Sequence, residues 1–352
     1  MGYYLQRVGQ AVFTLVTVMS MAFAMYRFLP GGPIDYLRAQ FARSQGTGEA
    51  QAGAGQQSGG ATDMSQQQFA QLAEAYTGVN PDKPIWQAYL DYMSGVFLHG
   101  DFGRSIYYSE PVSDIIAGAL PWTLFILTGV TVATFLISIF IGSLMAYYEG
   151  SRFDAGMTIY NLVAHSVPFF IVAVILIAVF AVQMEWLPIG GRYAQKDVSP
   201  GMNVDFFASV LKHALLPWAS LLLVSFGASL TMRGNSIRVL GSDYMRVARL
   251  RGLPTSRLTF RYVLRNAVLP MYTGFLISLS TLFSGSVILE RIFNYFGLGY
   301  YTVQAFVSRD YPLLMATFIL TTAVVIVGVL IADVTYGFLD PRVESGDTRE
   351  AF

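Results

Sequence analysis

The chain has 352 residues, 54% of them hydrophobic and only 12% charged, and its mean hydropathy is +0.50. A soluble globular chain carries about twice that charged fraction, so the composition excludes an ordinary soluble protein and points to a polytopic membrane protein. The formal net charge is zero and there is no cysteine; this removes any global attraction to nucleic acid and, with it, disulfides, thiolate chemistry and cysteine-ligated metals.

A bilayer core of ~30 Å takes about 20 predominantly apolar residues per helix. The first such run is GQAVFTLVTVMSMAFAMYRFLP (9–30), preceded by Arg7. AFA at 22–24 resembles a signal-peptide cleavage site, but the run continues past it to Leu29, so 1–30 reads as a retained first transmembrane helix. Residues 31–120 form a polar segment without a spanning run. Within it, RSQGTGEAQAGAGQQSGGATDMSQQQ (43–68) has too little apolar surface to offset its ordering entropy and reads as a flexible insert. MSQQQFAQLAEAY then predicts a short helix capped by Ser65.

Five further spans follow, at 122–148, 157–184, 214–232, 267–289 and 313–339, with Pro168, Pro217 and Pro270 inside three of them. Proline is tolerated there where neighbours or water satisfy the freed backbone groups. The connection 233–266 sets the orientation: it holds Arg233, Arg238, Arg246, Arg249, Arg251, Arg257, Arg261 and Arg265 against one acid, Asp243. By the positive-inside rule this loop is cytoplasmic. Alternation then places both termini and 149–156 in the cytoplasm, and 31–120, 185–213 and 290–312 outside. The organisation expected is a first helix (1–30), an extracytoplasmic segment (31–120), a membrane core (121–339) with the loop 233–266, and a cytoplasmic tail (340–352).

The loop carries its own punctuation. Ser242 stands where it can cap a helix over 243–251, Gly252 where a left-handed residue ends it, and Pro254 where nothing helical continues. Tyr244, Val247 and Leu250 give that helix an apolar edge flanked by arginines. Thr255 or Ser256 can cap a second helix, along which Arg257, Arg261 and Arg265 form one stripe. Two readings stand: a topology anchor meeting anionic headgroups, or a helical hairpin that docks in a groove of another protein. Nucleic-acid binding lacks a reading module here.

No catalytic chemistry emerges. A P-loop needs a lysine followed by Ser or Thr, whereas Lys83, Lys196 and Lys212 precede Pro84, Asp197 and His213. His99, His165 and His213 are scattered without cysteine, which argues against a metal site. His165 and Asp333 fall within predicted spans, and an intramembrane ionisable group is a functional candidate by default; together they would serve the rival reading of an ion-coupled secondary transporter. An intramembrane hydrolase using Ser166, Ser284 or Ser286 lacks a nucleophile turn. Those serines, with Gly227, Gly274 and Gly285, fit close helix packing instead.

YMRVARLRGLPTSRLTFRYVLRNAVLP (244–270) resembles the cytoplasmic loop of binding-protein-dependent ABC importer permeases. Arg246-Val247-Ala248 stand at the triplet of that motif, Gly252 at its glycine, and the long spacing to Pro270 is similar to the oligopeptide, dipeptide and nickel branch. Arg246 stands where the general triplet has glutamate. RFLPGGPIDYL (27–37) resembles the motif that closes the first span of that branch, with Gly32 replacing the usual acid. GDFGRS (100–105), LKHALLP (211–217), LERIFNYFGLGYY (289–301), RDYPLL (309–314) and DPRV (340–343) also resemble it, with Phe296 where proline is usual. The likeness spans nearly the whole chain apart from the insert.

The resemblance implies an all-α type I permease fold with six transmembrane helices in the inner or plasma membrane. It implies a coupling helix at 243–253, with Tyr244, Arg246, Val247, Ala248, Arg249, Leu250, Gly252 and Leu253 meeting a cytoplasmic ATPase. It further implies a second homologous permease, two ATPase subunits that bind ATP and magnesium, and an extracytoplasmic substrate-binding protein; this chain itself takes no cofactor. The cargo implied is di- or oligopeptides, with oligosaccharides or nickel complexes as alternatives. No residue is assigned to the substrate pathway beyond His165 as a candidate.

Overall fold

The computed structural model describes residues 2–28, 32–39, 66–254, 257–281 and 287–339. Most of the Gly/Gln-rich insert, the caps expected at Ser65, Thr255 and Ser256, the positions Ser284, Gly285 and Ser286, and the tail with its DPRV all lie outside the described residues. Among those described the chain is helical, with one isolated bridge between Arg104 and Pro111.

The helices follow the apolar runs, with boundaries moved by backbone chemistry. α1 spans Gly2–Phe28. α2 (Gln66–Thr77) and α3 (Ile85–Ser94) follow, the latter widening into a π-helical turn at Gly95–His99. α4 runs over Val112–Tyr147 and starts ten residues before the expected span. Val112, Ile115, Ile116 and Ala119 are all buried; their i, i+3, i+4, i+7 spacing carries the helix through Pro121.

The next two expected spans are broken helices. α5 (Arg152–Ser166) and α6 (Phe169–Leu176, continuing as a π-helical turn to Gln183) meet at a 93° bend. Pro168 explains it, because its ring drives the preceding residue out of the helical region, and Val167 is extended at ψ 121. α7 (Val204–Leu222) and α8 (Gly227–Leu240) meet at 58°. Pro217 lies inside α7, so this break is instead at 223–226. One carbonyl there, that of Leu223, accepts the Tyr160 hydroxyl at 2.7 Å.

α9 (Asp243–Leu250), a π-helical stretch Leu258–Val263, α10 (Leu264–Thr281), α11 (Val287–Ile292), α12 (Leu298–Ser308) and α13 (Tyr311–Leu339) complete the order. Among the described residues three helices are long and apolar enough to cross a membrane, or five if each bent pair crosses as one. The fifth expected span, 267–289, includes residues outside those described.

The chain divides into two compact units, 1–120 with 301–323, and 121–300 with 324–352. In the first, Met19, Phe23 and Tyr26 of α1 share a core with Ala88 and Tyr92 of α3 and with Met315 and Ile319 of α13. Asp310, fully buried, accepts the Ser105 hydroxyl and the backbone N–H groups of Ile106 (3.1 Å), Tyr107 (3.2 Å) and Leu313 (3.4 Å). The turn from 101 to 108 is thereby tied to the start of α13. Gly103 at φ +80 lies against the Tyr76 carbonyl, where any Cβ would collide.

Among the described residues the second unit has two apolar centres. One gathers Ile126, Ala173, Ala214, Leu216, Leu289 and Phe293. The other gathers Met232, Met245, Leu258, Val263, Ala267 and Met271, with Phe135 and Ile139 of α4 against it. Ile126 and Ile139 are thirteen residues apart on α4, so about 20 Å of helix separates the centres.

Candidate functional site

The loop between α8 and α10 builds a short helix with two unlike faces. α8 ends at Leu240, and Ser242 is extended (φ −73, ψ 152), which turns the chain into α9. The hydroxyl of Ser242 does not cap α9 as expected. It donates to the Val239 carbonyl at 2.6 Å, while the Ser242 carbonyl accepts from Met245 N at 3.1 Å and Arg246 N at 3.2 Å. Asp243 in the first turn supplies the negative charge that a helix N-terminus favours. At the other end Gly252 adopts φ +72, the left-handed closure expected of it, and donates to Arg249 O at 2.9 Å.

Met245 and Ala248 are buried in the second apolar centre, with Leu253 half-buried beside them. Ala248 and Leu253, two residues of the expected coupling set, therefore face this chain's own core. Tyr244, Val247 and Leu250 stay exposed, Leu250 at 81%, with Arg246, Arg249 and Gly252 exposed around them. The helix thus keeps an outward apolar edge after its other face is anchored. Arg257 and Arg265 are likewise exposed, at either end of the π-helical stretch.

Two cavities lie in the same unit. The larger, about 520 Å³, is walled by Thr131, Thr134 and Phe135 of α4, Thr231 of α8, and Pro270 and Gly274 of α10. The smaller, about 450 Å³, is walled by His165 at the end of α5, Phe169 of α6, and Val224 and Gly227 at the α7–α8 bend. Leu221, Ser225 and Ala228 border both. His165 thus lies on a cavity, with Gly227 beside it: a Cβ there would make an ordinary contact, 3.7 Å from His165 Nδ1. Among the described wall residues His165 alone has an ionisable side chain, and the rest set threonine and Ser225 hydroxyls among apolar side chains. Asp333, the other intramembrane candidate, falls on α13.

Sequence reasoning missed the polar joints. Asp154, buried at the start of α5, accepts Arg233 of α8 through Nε at 2.5 Å and Nη2 at 2.7 Å, and Gly150 N at 3.0 Å. Two turns further along α5, Asn161 accepts the Ser229 hydroxyl at 3.2 Å. These contacts tie α5 to the helix that leads into α9. Glu290, fully buried, accepts Thr123 Oγ1 at 2.7 Å and Tyr300 N at 2.9 Å, while Thr123 Oγ1 accepts Leu298 N at 2.7 Å. Phe296, the departure from the usual proline, packs edge-on against Tyr300 with centroids 4.8 Å apart. Partners 79 and 167 positions apart leave no periodic signal; the motifs at GDFGRS, LERIF and RDYPLL were the only pointers, and two of them meet where Ser105 binds Asp310.

Comparison with known proteins finds one family. Residues 138–345 match the family model described as binding-protein-dependent transport system inner membrane component, a range that includes α9 and most of the cavity walls. The chain is 37% identical to the oligopeptide transport system permease protein AppB of Bacillus subtilis over 80% of its own length and 86% of that protein. It is 29% identical to the di/tripeptide transport system permease protein DppB of Pseudomonas aeruginosa and to the dipeptide transport system permease protein DppB of Escherichia coli, over 97% of this chain and 98% of each.

Proposed function

Because the chain belongs to the family of binding-protein-dependent transport system inner membrane components, we propose that it is a permease subunit of an ATP-driven importer of di- and oligopeptides. It crosses the membrane six times with both termini in the cytoplasm, and 31–120 lies outside. A second homologous permease completes the pathway. Two cytoplasmic ATPase subunits bind and hydrolyse ATP with magnesium, and an extracytoplasmic protein delivers the peptide. This chain has no catalytic residue of its own.

The observation that carries the reading is the division of labour in α9. Met245 and Ala248 hold the helix to the core that also contains Met232 of α8 and Met271 of α10, while Tyr244, Val247 and Leu250 present an outward apolar edge. A push on that edge reaches the larger cavity through packed side chains, since Met271 also lines it. ATP binding closes the ATPase pair, moves α9 and tilts α8 and α10. The cavity then opens outward to receive peptide, and hydrolysis resets it. Walls of threonine and apolar side chains bind a peptide backbone weakly and without regard to sequence, as a passage requires. The relatives' names, each for a peptide system, support that cargo.

The test is purification of the tagged chain from its native membrane in mild detergent, with co-eluting chains identified by mass spectrometry. Two ATPase chains and a second permease are expected. Recovery of the chain alone, or only with copies of itself, overturns the reading and turns attention to His165 and Asp333 as ion carriers.

A further inference from the structure

Residues 85–99 lie in the segment 31–120, which has no spanning run and reads as extracytoplasmic, but their packing brings them back to the membrane. The Tyr89 hydroxyl lies 2.8 Å from the Ser20 hydroxyl of α1. The Phe23 ring meets Tyr89 at 5.3 Å and Tyr92 at 5.9 Å, and Tyr26 meets Tyr92 at 5.9 Å. Ala88, Tyr92 and Val96 are buried in the core formed with Met19, Ala22 and Phe23. Ser20 precedes the end of α1 by eight residues, about 12 Å of helix. These contacts are therefore made beside an apolar run long enough to span the membrane, well below its outer end.

The exposed side of this segment is divided lengthwise. At 100° per residue Trp86 and Leu90 share one stripe, which Phe97 and Leu98 continue; the four are 56–71% exposed. Next to it runs a polar stripe of Gln87, Asp91 and Ser94, all exposed. Asp91 binds Lys83 at 2.8 Å, and Lys83 also binds Glu74 at 2.8 Å. A helix with adjoining apolar and charged strips suits the boundary between acyl chains and headgroups, and tryptophan is favoured at that depth. In the same stretch of α1, Met21, Met25 and Phe28 are also exposed, so the helix that this segment packs against has an outward apolar face of its own.

We propose that residues 85–99 form a membrane-interface helix: Trp86, Leu90 and Phe97 rest among phospholipid acyl chains, and Gln87, Asp91 and Ser94 face the headgroups. The segment between the first two spans thus touches lipid as well as water.

The chain has no cysteine, so single cysteines placed by Leu90→Cys, Phe97→Cys, Gln87→Cys and Ser94→Cys can carry a nitroxide cleanly. Each variant is purified with its co-eluting subunits, kept only if their composition is unchanged, and reconstituted in phosphatidylethanolamine/phosphatidylglycerol vesicles. Power saturation then compares relaxation by oxygen with relaxation by an uncharged nickel chelate. The ratio of oxygen to nickel accessibility is expected to be several-fold higher at 90 and 97 than at 87 and 94. Equal nickel access at all four places the helix in water and overturns the proposal. Exclusion of both relaxers at 90 and 97 means that a protein subunit covers the stripe, and overturns it equally. Trp86→Phe gives a second reading without a label: quenching of tryptophan emission by brominated lipid should fall, and unchanged quenching counts against lipid contact.

Discussion

Gly252 closes α9 at φ +72, and a Cβ built there would meet nothing within 4 Å. Any cost of substitution is therefore backbone conformation alone, about 1–2 kcal/mol for an ordinary L-residue in the left-handed region, less for asparagine and more for a β-branched side chain. We expect Gly252→Asn, Gly252→Ala and Gly252→Val to raise the ATP consumed per peptide imported in that order. Normal coupling in the valine variant would show that the left-handed turn is dispensable. Asp154 and Arg233 test a different term. Their side chains are 6% and 28% exposed, and removing one member of a buried ion pair leaves the other charge stranded, at about 3 kcal/mol. Asp154→Ala or Arg233→Ala should lower the Tm of the detergent-solubilised chain by more than the double substitution does. A double variant as unstable as the sum of the singles would mean that the pair is not coupled.

At the scale of elements, an eight-residue helix is too short to persist alone in water, so α9 exists because Met245 and Ala248 anchor it. That anchoring decides what is left for a partner. Val247→Asp and Leu250→Asp should weaken retention of the ATPase during purification by about 2 kcal/mol each, roughly 30-fold in affinity, as for a buried anchor of an interface. The amount of chain in the membrane should stay the same. Met245→Asp should instead reduce that amount, since it buries a charge in the chain's own core. Equal retention in the first two variants would remove α9 from the interface. The bend between α5 and α6 also belongs to this scale. Pro168 announced it, because a proline constrains its neighbour whatever surrounds it. The break at 223–226 has no such marker, and Pro217 sits inside an unbroken α7.

For the molecule as a whole, what could be read locally was the helical class, the positions of most apolar runs, the left-handed Gly252 and the amphipathic character of 243–250. Each depends on side chains within four residues of one another, where period, cap and turn chemistry act directly. The resemblance of motifs extended that reading to family membership, which the comparisons bear out. What local patterns could not supply was which faces meet. Ala248 and Leu250 stand two positions apart and differ only in which side Met245 draws to the core. Ser105 and Asp310, or Thr123 and Glu290, become partners only when segments far apart in the chain come within 3 Å. Residues 85–99 belong to a stretch with no spanning run, yet Tyr89 and Tyr92 seat them against α1. The sequence by itself determined what each segment could become, because backbone preference and hydrophobic period are short-range. Only the tertiary structure decided which apolar face was spent on the core and which was left exposed, because that choice is made by surfaces far apart along the chain.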